Sequence, residues 1–272
     1  MQTLVYIVGA ALSSPASLPS ERGDAVRCTQ PVAGTALSIE LIRMPAPPDS
    51  PPLWISRDEI SWDLYDALVY QLDVPKGGDE PAEAVTRPTK PYLMADRGWG
   101  HAGYPALSVS HRGATAFCEW MSRKTGKRWR LPTVEEWKRL CAASGVTSSN
   151  QLDHAWQSGN AENKTHAIGT RAPDANGLND LCGNVSEWCV DGPDQWVLMG
   201  TCYKDATGDP CAVRKEPGPE WNDTDPQIPK SIWWLSDAPF AGFRVVCEEV
   251  ASDTGLPQQK NEEASHVERP AE

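Results

Sequence analysis

The sequence predicts an α+β domain with little regular secondary structure, on three observations. Twelve Trp stand against three Phe, and an indole brings bulk together with an N–H that needs a partner, which suits a loop-rich fold better than a helical bundle. Eight Cys accompany 24 Pro and 21 Gly in 272 residues, the composition of a chain tied across irregular segments. Capped amphipathic helices are legible before Thr147, and none is convincing from Thr147 to about Val246.

Taken in order, residues 1–30 read as leader and linker. Leu4 to Leu12 form a short apolar run followed by Ser13, Ser14, Ala16 and Ser17, as in a signal peptide, although no basic residue precedes the run. Ala36 to Ile42 suit a strand, and the Pro-rich Met44 to Pro52 cannot extend it, because Pro lacks the ladder N–H. Trp54 to Ile60 read as a second strand, followed by Ser61 capping a helix whose Leu64, Leu68 and Val69 share a face. Lys76 to Pro91 form a polar loop.

The next helix is predicted after Ser110, with Ala114, Phe117, Cys118 and Met121 at i, i+3, i+4 and i+7 and Gly126 as its stop. Thr133 opens a third, because Thr133-Val134-Glu135-Glu136 has the form of a capping box. Trp137, Leu140 and Cys141 make its buried stripe. Beyond it, Gly, Pro, Asn and Asp turns separate Trp-bearing segments. The domain is expected to span residues 31–247, and the acidic tail 248–272, almost without large apolar residues, is expected to be disordered.

A net charge of −12 and pI near 4.9 argue against a nucleic-acid partner or an acidic membrane surface, which are bound through clustered Lys and Arg. No stretch after the first apolar run reaches the roughly 18 apolar residues of a membrane span. His101, His111, His154, His166 and His266 share no repeated spacing, and neither a GxSxG nor a P-loop is present. Without a CxxC pair or a Cys/His set at zinc spacing, the cysteines read as disulfide partners, which implies an oxidising, secreted or periplasmic compartment.

Four segments in order carry a family resemblance: Trp54-Ile55-Ser56-Arg57-Asp58-Glu59-Ile60-Ser61; Tyr104 to Ser110 running on to Phe117-Cys118-Glu119-Trp120; Arg130-Leu131-Pro132-Thr133-Val134-Glu135-Glu136-Trp137; and Asn176 through Cys182-Gly183-Asn184-Val185-Ser186-Glu187-Trp188. Gly242-Phe243-Arg244-Val245-Val246 closes the pattern. The set resembles the sulfatase-modifying-factor, or formylglycine-generating enzyme, branch of the C-type-lectin-like fold, and the likeness covers residues from about 36 to 247. It implies that compact α+β fold.

The resemblance also implies a chemistry to look for. Family enzymes oxidise a substrate cysteine to formylglycine with copper held by two thiolates, ligands that soft Cu(I) prefers. Here Met199-Gly200-Thr201-Cys202-Tyr203 and Cys211-Ala212-Val213-Arg214 occupy the matching region, with Cys211 aligned on a structural cysteine. Lys204 and Asp209 are then the nearest counterparts of the copper cysteines. A displaced copper pair, Cys202 with Cys211, is the competing alignment. Thr201 matches a hydroxyl beside the family's site, whereas Ser186 replaces a frequent Trp.

The resemblance further implies a calcium site at Asp180, Gly183, Val185 and Glu187, since a hard cation takes carboxylate and carbonyl oxygens. Two disulfides are implied, Cys118–Cys247 and Cys141–Cys211, leaving the partners of Cys28, Cys182, Cys189 and Cys202 open. Cys247 stands two residues beyond the family's position, which a strand's period of two would return to the same face. The leading expectation is an exported, non-catalytic recognition or scaffold domain that contacts a protein, peptide or small ligand through Trp196, Trp221, Trp233 and Trp234. The alternatives are a formylglycine-generating-type oxidoreductase acting on a protein cysteine, and a surface-displayed variable binding protein, which the acidic tail fits poorly.

Overall fold

The computed structural model of the protein describes residues 26–44, 53–75 and 85–248. Most of the expected leader and all but Glu248 of the expected tail lie outside these residues. Five strands form one antiparallel sheet: β1 (Arg27–Pro31), β2 (Ser38–Arg43), β3 (Leu53–Ser56), β4 (Arg128–Arg130) and β9 (Val246–Glu248), in the order β1-β2-β3-β9-β4. The second sheet has the order β7-β6-β5-β8, from β5 (Ser186–Gly192), β6 (Gln195–Met199), β7 (Arg214–Lys215) and β8 (Ala241–Gly242), with β5 and β8 parallel. The α+β class and the sparse regular structure are as the sequence implies.

The helices begin where side chains satisfy otherwise orphaned N–H groups. In α1 (Trp62–Val69) the Leu64 N–H donates to Ser61 Oγ, and in α2 (His111–Thr125) the Gly113 N–H donates to Ser110 Oγ. In α3 (Val134–Ala143) the Glu136 N–H donates to Thr133 Oγ1 at 3.1 Å and the Thr133 N–H donates to Glu136 Oε2 at 2.8 Å. Arg130 adds two bonds to the same carboxylate, at 2.7 and 2.8 Å. Gly126 ends α2 at φ +67°, a left-handed conformation that a side chain would strain.

Period-two alternation places strands between two apolar clusters. In β2 Leu41 enters one cluster and Ile42 the other; in β5 Trp188 and Cys189 divide likewise, and in β6 Leu198 separates from Val197 and Met199. The first cluster packs under α1 and α2, and the second under α3.

Four differences from the sequence reading have local causes. The domain does not start at residue 31, because β1 begins at Arg27 and pairs with β2 through Arg27↔Ile42. Nor does it stop at 247: Glu248 closes β9 and accepts from Arg128 and Arg130. A four-residue helix α4 (Gln151–His154) and a 3-10 turn at Pro219–Asn222 interrupt the stretch read as helix-free; both are too short to show a periodicity.

The fourth difference is a correction: the Cys118–Cys247 disulfide is not formed, since Cys118 carries a free buried thiol. Both side chains enter the same apolar cluster. However, Phe243 to Val245 are not strand, and between Gly242 and Val246 the chain passes from one sheet to the other. A displacement of two residues there does not restore the side-chain direction, as it would within one continuous strand.

Candidate functional site

The copper question turns on Cys202 and Cys211. The Cys211 sulfur lies 1.99 Å from that of Cys141, with Cα atoms 5.7 Å apart, so the pair is a disulfide and Cys211 offers no thiolate. Cys202 is fully buried, and burial pushes its thiol up to about 11, with Lys215 opposing and Asp205 reinforcing the shift. Lys204 places its ammonium 3.8 Å from the centre of the Phe240 ring, and Asp209 accepts the Cys211 N–H. No group of three or more His, Cys, Asp or Glu side chains among the described residues converges on a metal-sized position.

Thr201 does not face a groove. Its buried hydroxyl donates to the Cys182 carbonyl at 2.5 Å and accepts from Gln157 Nε2 at 2.8 Å. Ser186, equally buried, donates to the Gly200 carbonyl and accepts from Lys215 Nζ. These polar groups are satisfied by the protein itself, and they brace the loop between β6 and β7.

The four residues matched to calcium lie in one buried region but play different parts. Glu187 receives Arg244 Nε on both oxygens at 2.8 Å and Trp137 Nε1 on Oε2 at 2.8 Å, so both of its oxygens are already engaged within the protein. Gly183 is required sterically, because a Cβ there would stand 2.5 Å from the Trp156 carbonyl oxygen. The Val185 N–H donates to Glu59 Oε1. Asp180 accepts the Gly169 N–H on Oδ2, while its buried Oδ1 has no hydrogen-bond partner. Burial pushes the Asp180 carboxyl up to about 7, against the pull of the Gly169 N–H and Arg244. Of the two carboxylates, Asp180 alone keeps an oxygen without a hydrogen-bond partner.

The tryptophans divide into two pairs. Trp234 is fully buried, 6.2 Å from Trp62 and 5.7 Å from Tyr65 between ring centroids, and its Nε1 donates to the Thr89 carbonyl. Trp221 packs on Trp188 and Phe240. Neither presents a contact surface, a correction that follows from the value of burying a large ring whose N–H finds a partner inside. Trp196 and Trp233, by contrast, line one open groove of about 430 Å³ together with His111, Arg112, Glu119 and Asp194.

The groove is built on the exposed side of α2. His111, Thr115 and Glu119 recur every four residues there, opposite the apolar stripe of Ala114, Phe117, Cys118 and Met121. The His111 ring stacks on Trp196 at 4.4 Å and 16°. Burial, and then the neighbouring Arg112 guanidinium, lowers the His111 pKa, which keeps the ring neutral and able to pack. Sequence reasoning found the two indoles and missed the polar side chains; their spacing of four along a capped helix was the available signal.

The geometry has counterparts among known proteins. Treponema denticola variable protein 1 superposes with a TM-score of 0.56 at 17% identity, covering 83% of this chain and 100% of that one. PvdO from Pseudomonas aeruginosa superposes with a TM-score of 0.52 at 19% identity, covering 79% and 97%. At these identities the likeness is one of fold. In sequence, the chain is 29% identical over 147 residues to the serine/threonine-protein kinase pkn1 of Chlamydia pneumoniae and, equally, to that of Chlamydia caviae. Each match covers 44% of this chain and spans 22% of the relative's length. A family profile matches residues 45–249, taking in the capped helices, the second sheet, strands β3, β4 and β9 of the first, and the cysteine-bearing loops described above. By that match the chain belongs to the family of the sulfatase-modifying factor enzyme 1-like domain.

Proposed function

We propose that the chain is an exported recognition domain of this family that does not carry out copper-dependent cysteine oxidation. The observation that carries the proposal is the state of the two candidate ligands: Cys211 is bonded to Cys141, and Cys202 is buried with its thiol pushed up to about 11. A two-thiolate copper site needs both as accessible thiolates. Export is supported by the disulfide, which persists in oxidising compartments. Any calcium stabilisation within this proposal is carried by Asp180, while Glu187 stays with Arg244.

Recognition is assigned to the groove of Trp196 and Trp233. Two indoles supply apolar contact, and Glu119 and Asp194 outnumber Arg112 there, which favours a peptide segment bearing a basic side chain. No helix among the described residues is long and apolar enough to cross a membrane. Titration of the oxidised protein with Cu(I) against a competing chelator tests the first claim. The proposal expects no tight stoichiometric copper; a tight complex abolished by Cys202→Ser would restore the oxidoreductase reading. For the second, a peptide selected from a random display library should lose binding in Trp233→Ala, and binding unaffected by that change would remove the groove from the proposal.

A further inference from the structure

Cys141 meets two sulfurs at once. Besides its bond to Cys211, its Sγ lies 4.0 Å from the Sγ of Cys182, a free thiol in the segment leading into β5. Cys182 is held there by its own carbonyl, which accepts from Thr201 Oγ1 at 2.5 Å and from Gln157 Nε2 at 2.8 Å. Cys141 and Cys182 share the apolar cluster under α3, and Cys211 packs half-buried at its edge.

We propose that Cys182 exchanges with the Cys141–Cys211 disulfide, transferring the bridge to Cys141–Cys182 and releasing Cys211 as a solvent-reachable thiol, a modification site for small electrophiles and disulfides. The Cys182 thiol gives its proton to water or hydroxide, and the resulting thiolate attacks Cys141 Sγ. The Cys182–Cys141 bond forms as the Cys141–Cys211 bond breaks, and the electron pair leaves on Cys211 Sγ, which takes up a proton. One disulfide is present before and after, so the step consumes neither oxidant nor reductant.

The arrangement sets the direction of the exchange. Cys141 is the sulfur within reach of Cys182, so the leaving group is Cys211, the more exposed of the two, whose thiolate water can solvate. Cys182 is itself buried, so the attacking thiolate forms seldom and the bridge is long-lived. Exchange unties from α3 the loop that Cys211 ends, and leaves α3 bridged to the approach of β5. Cys202 stays buried throughout, so one thiolate is released rather than a copper-binding pair.

The test uses the full-length oxidised chain without reductant, incubated with iodoacetamide at about pH 8 and then digested unreduced for peptide mapping. The expected result is alkylation of Cys211, together with a Cys141–Cys182 peptide pair and an unlabelled Cys118. Cys182→Ser should leave Cys211 unlabelled. Should that variant not fold, the wild-type map decides by itself. Labelling of Cys211 together with Cys141 would show reduction instead, labelling of Cys118 to the same extent would show unfolding, and either result, or an unlabelled Cys211, overturns the proposal.

Discussion

Arg244 and Glu187 form a fully buried ion pair where the chain passes between the two sheets: Arg244 Nη2 lies 2.6 Å from Glu187 Oε1, with both side chains at most 1% exposed. The guanidinium also donates to the carbonyls of Ser56, Arg57 and Asn179. One cation thus ties β5, the end of β3 and the loop before β5 to the crossing. Arg244→Met should lower unfolding stability by about 3–5 kcal/mol, because it strands the Glu187 charge in the interior. Chemical denaturation checks this, and a loss under about 1 kcal/mol would show that water reaches the pair.

Calcium binding, if carried by Asp180, is a stability effect tied to the native state. At about pH 8 the Asp180 carboxyl is ionised, being pushed up only to about 7. Millimolar calcium should then raise the melting temperature of the wild type by mass action, and not that of Asp180→Asn. A melt independent of calcium in both proteins would remove calcium from the account.

His111 should titrate below the ordinary histidine range, which NMR of the ring protons can follow. Its folded pKa is lowered, first by burial and then by Arg112. Between the folded and unfolded values the unfolded chain binds more protons, so the contribution of His111 to stability is present above about pH 6.5 and declines as pH falls through that window. His111→Gln should flatten this part of the stability profile. An unchanged slope would show that the ring is solvated rather than packed on Trp196.

Reducing the Cys141–Cys211 bridge, which joins residues 70 apart in sequence, should cost about 4 kcal/mol in the chain-entropy model. Cys141→Ala/Cys211→Ala should reproduce that loss in oxidised buffer. A double variant as stable as the wild type would mean that the loop is held by its other contacts, Lys215 to Asp205 among them.

What the sequence made legible follows from how local each cause is. Ser61, Ser110 and Thr133 satisfy N–H groups three residues away, so the helix starts were readable. The strand β1 was not, since Arg27–Pro31 is largely exposed and shows no alternation; its pairing with β2 is made by the backbone. Trp233 and Trp234 illustrate the limit at the site. Trp233 lies in a bend and Trp234 in an isolated bridge, so no strand alternation told which indole would enter the core. Which of them did so depended on the pairing of Val109 with Trp234. Cys118 and Cys247 could not be judged from spacing, because the spacing straddles a change of sheet. The position of Arg244 against Glu187 was likewise invisible, being a contact between residues 57 apart in the chain.

Mass spectrometry shows whether this family member retains the two-thiolate chemistry. The purified oxidised protein is loaded with copper and incubated aerobically with a peptide that carries the cysteine motif converted by formylglycine-generating enzymes. The peptide cysteine should stay unconverted, with the same outcome for Cys202→Ser. Formation of the aldehyde product by the wild type and its loss in Cys202→Ser would overturn the non-catalytic reading, because it would require Cys202 to leave the core and act as a copper ligand.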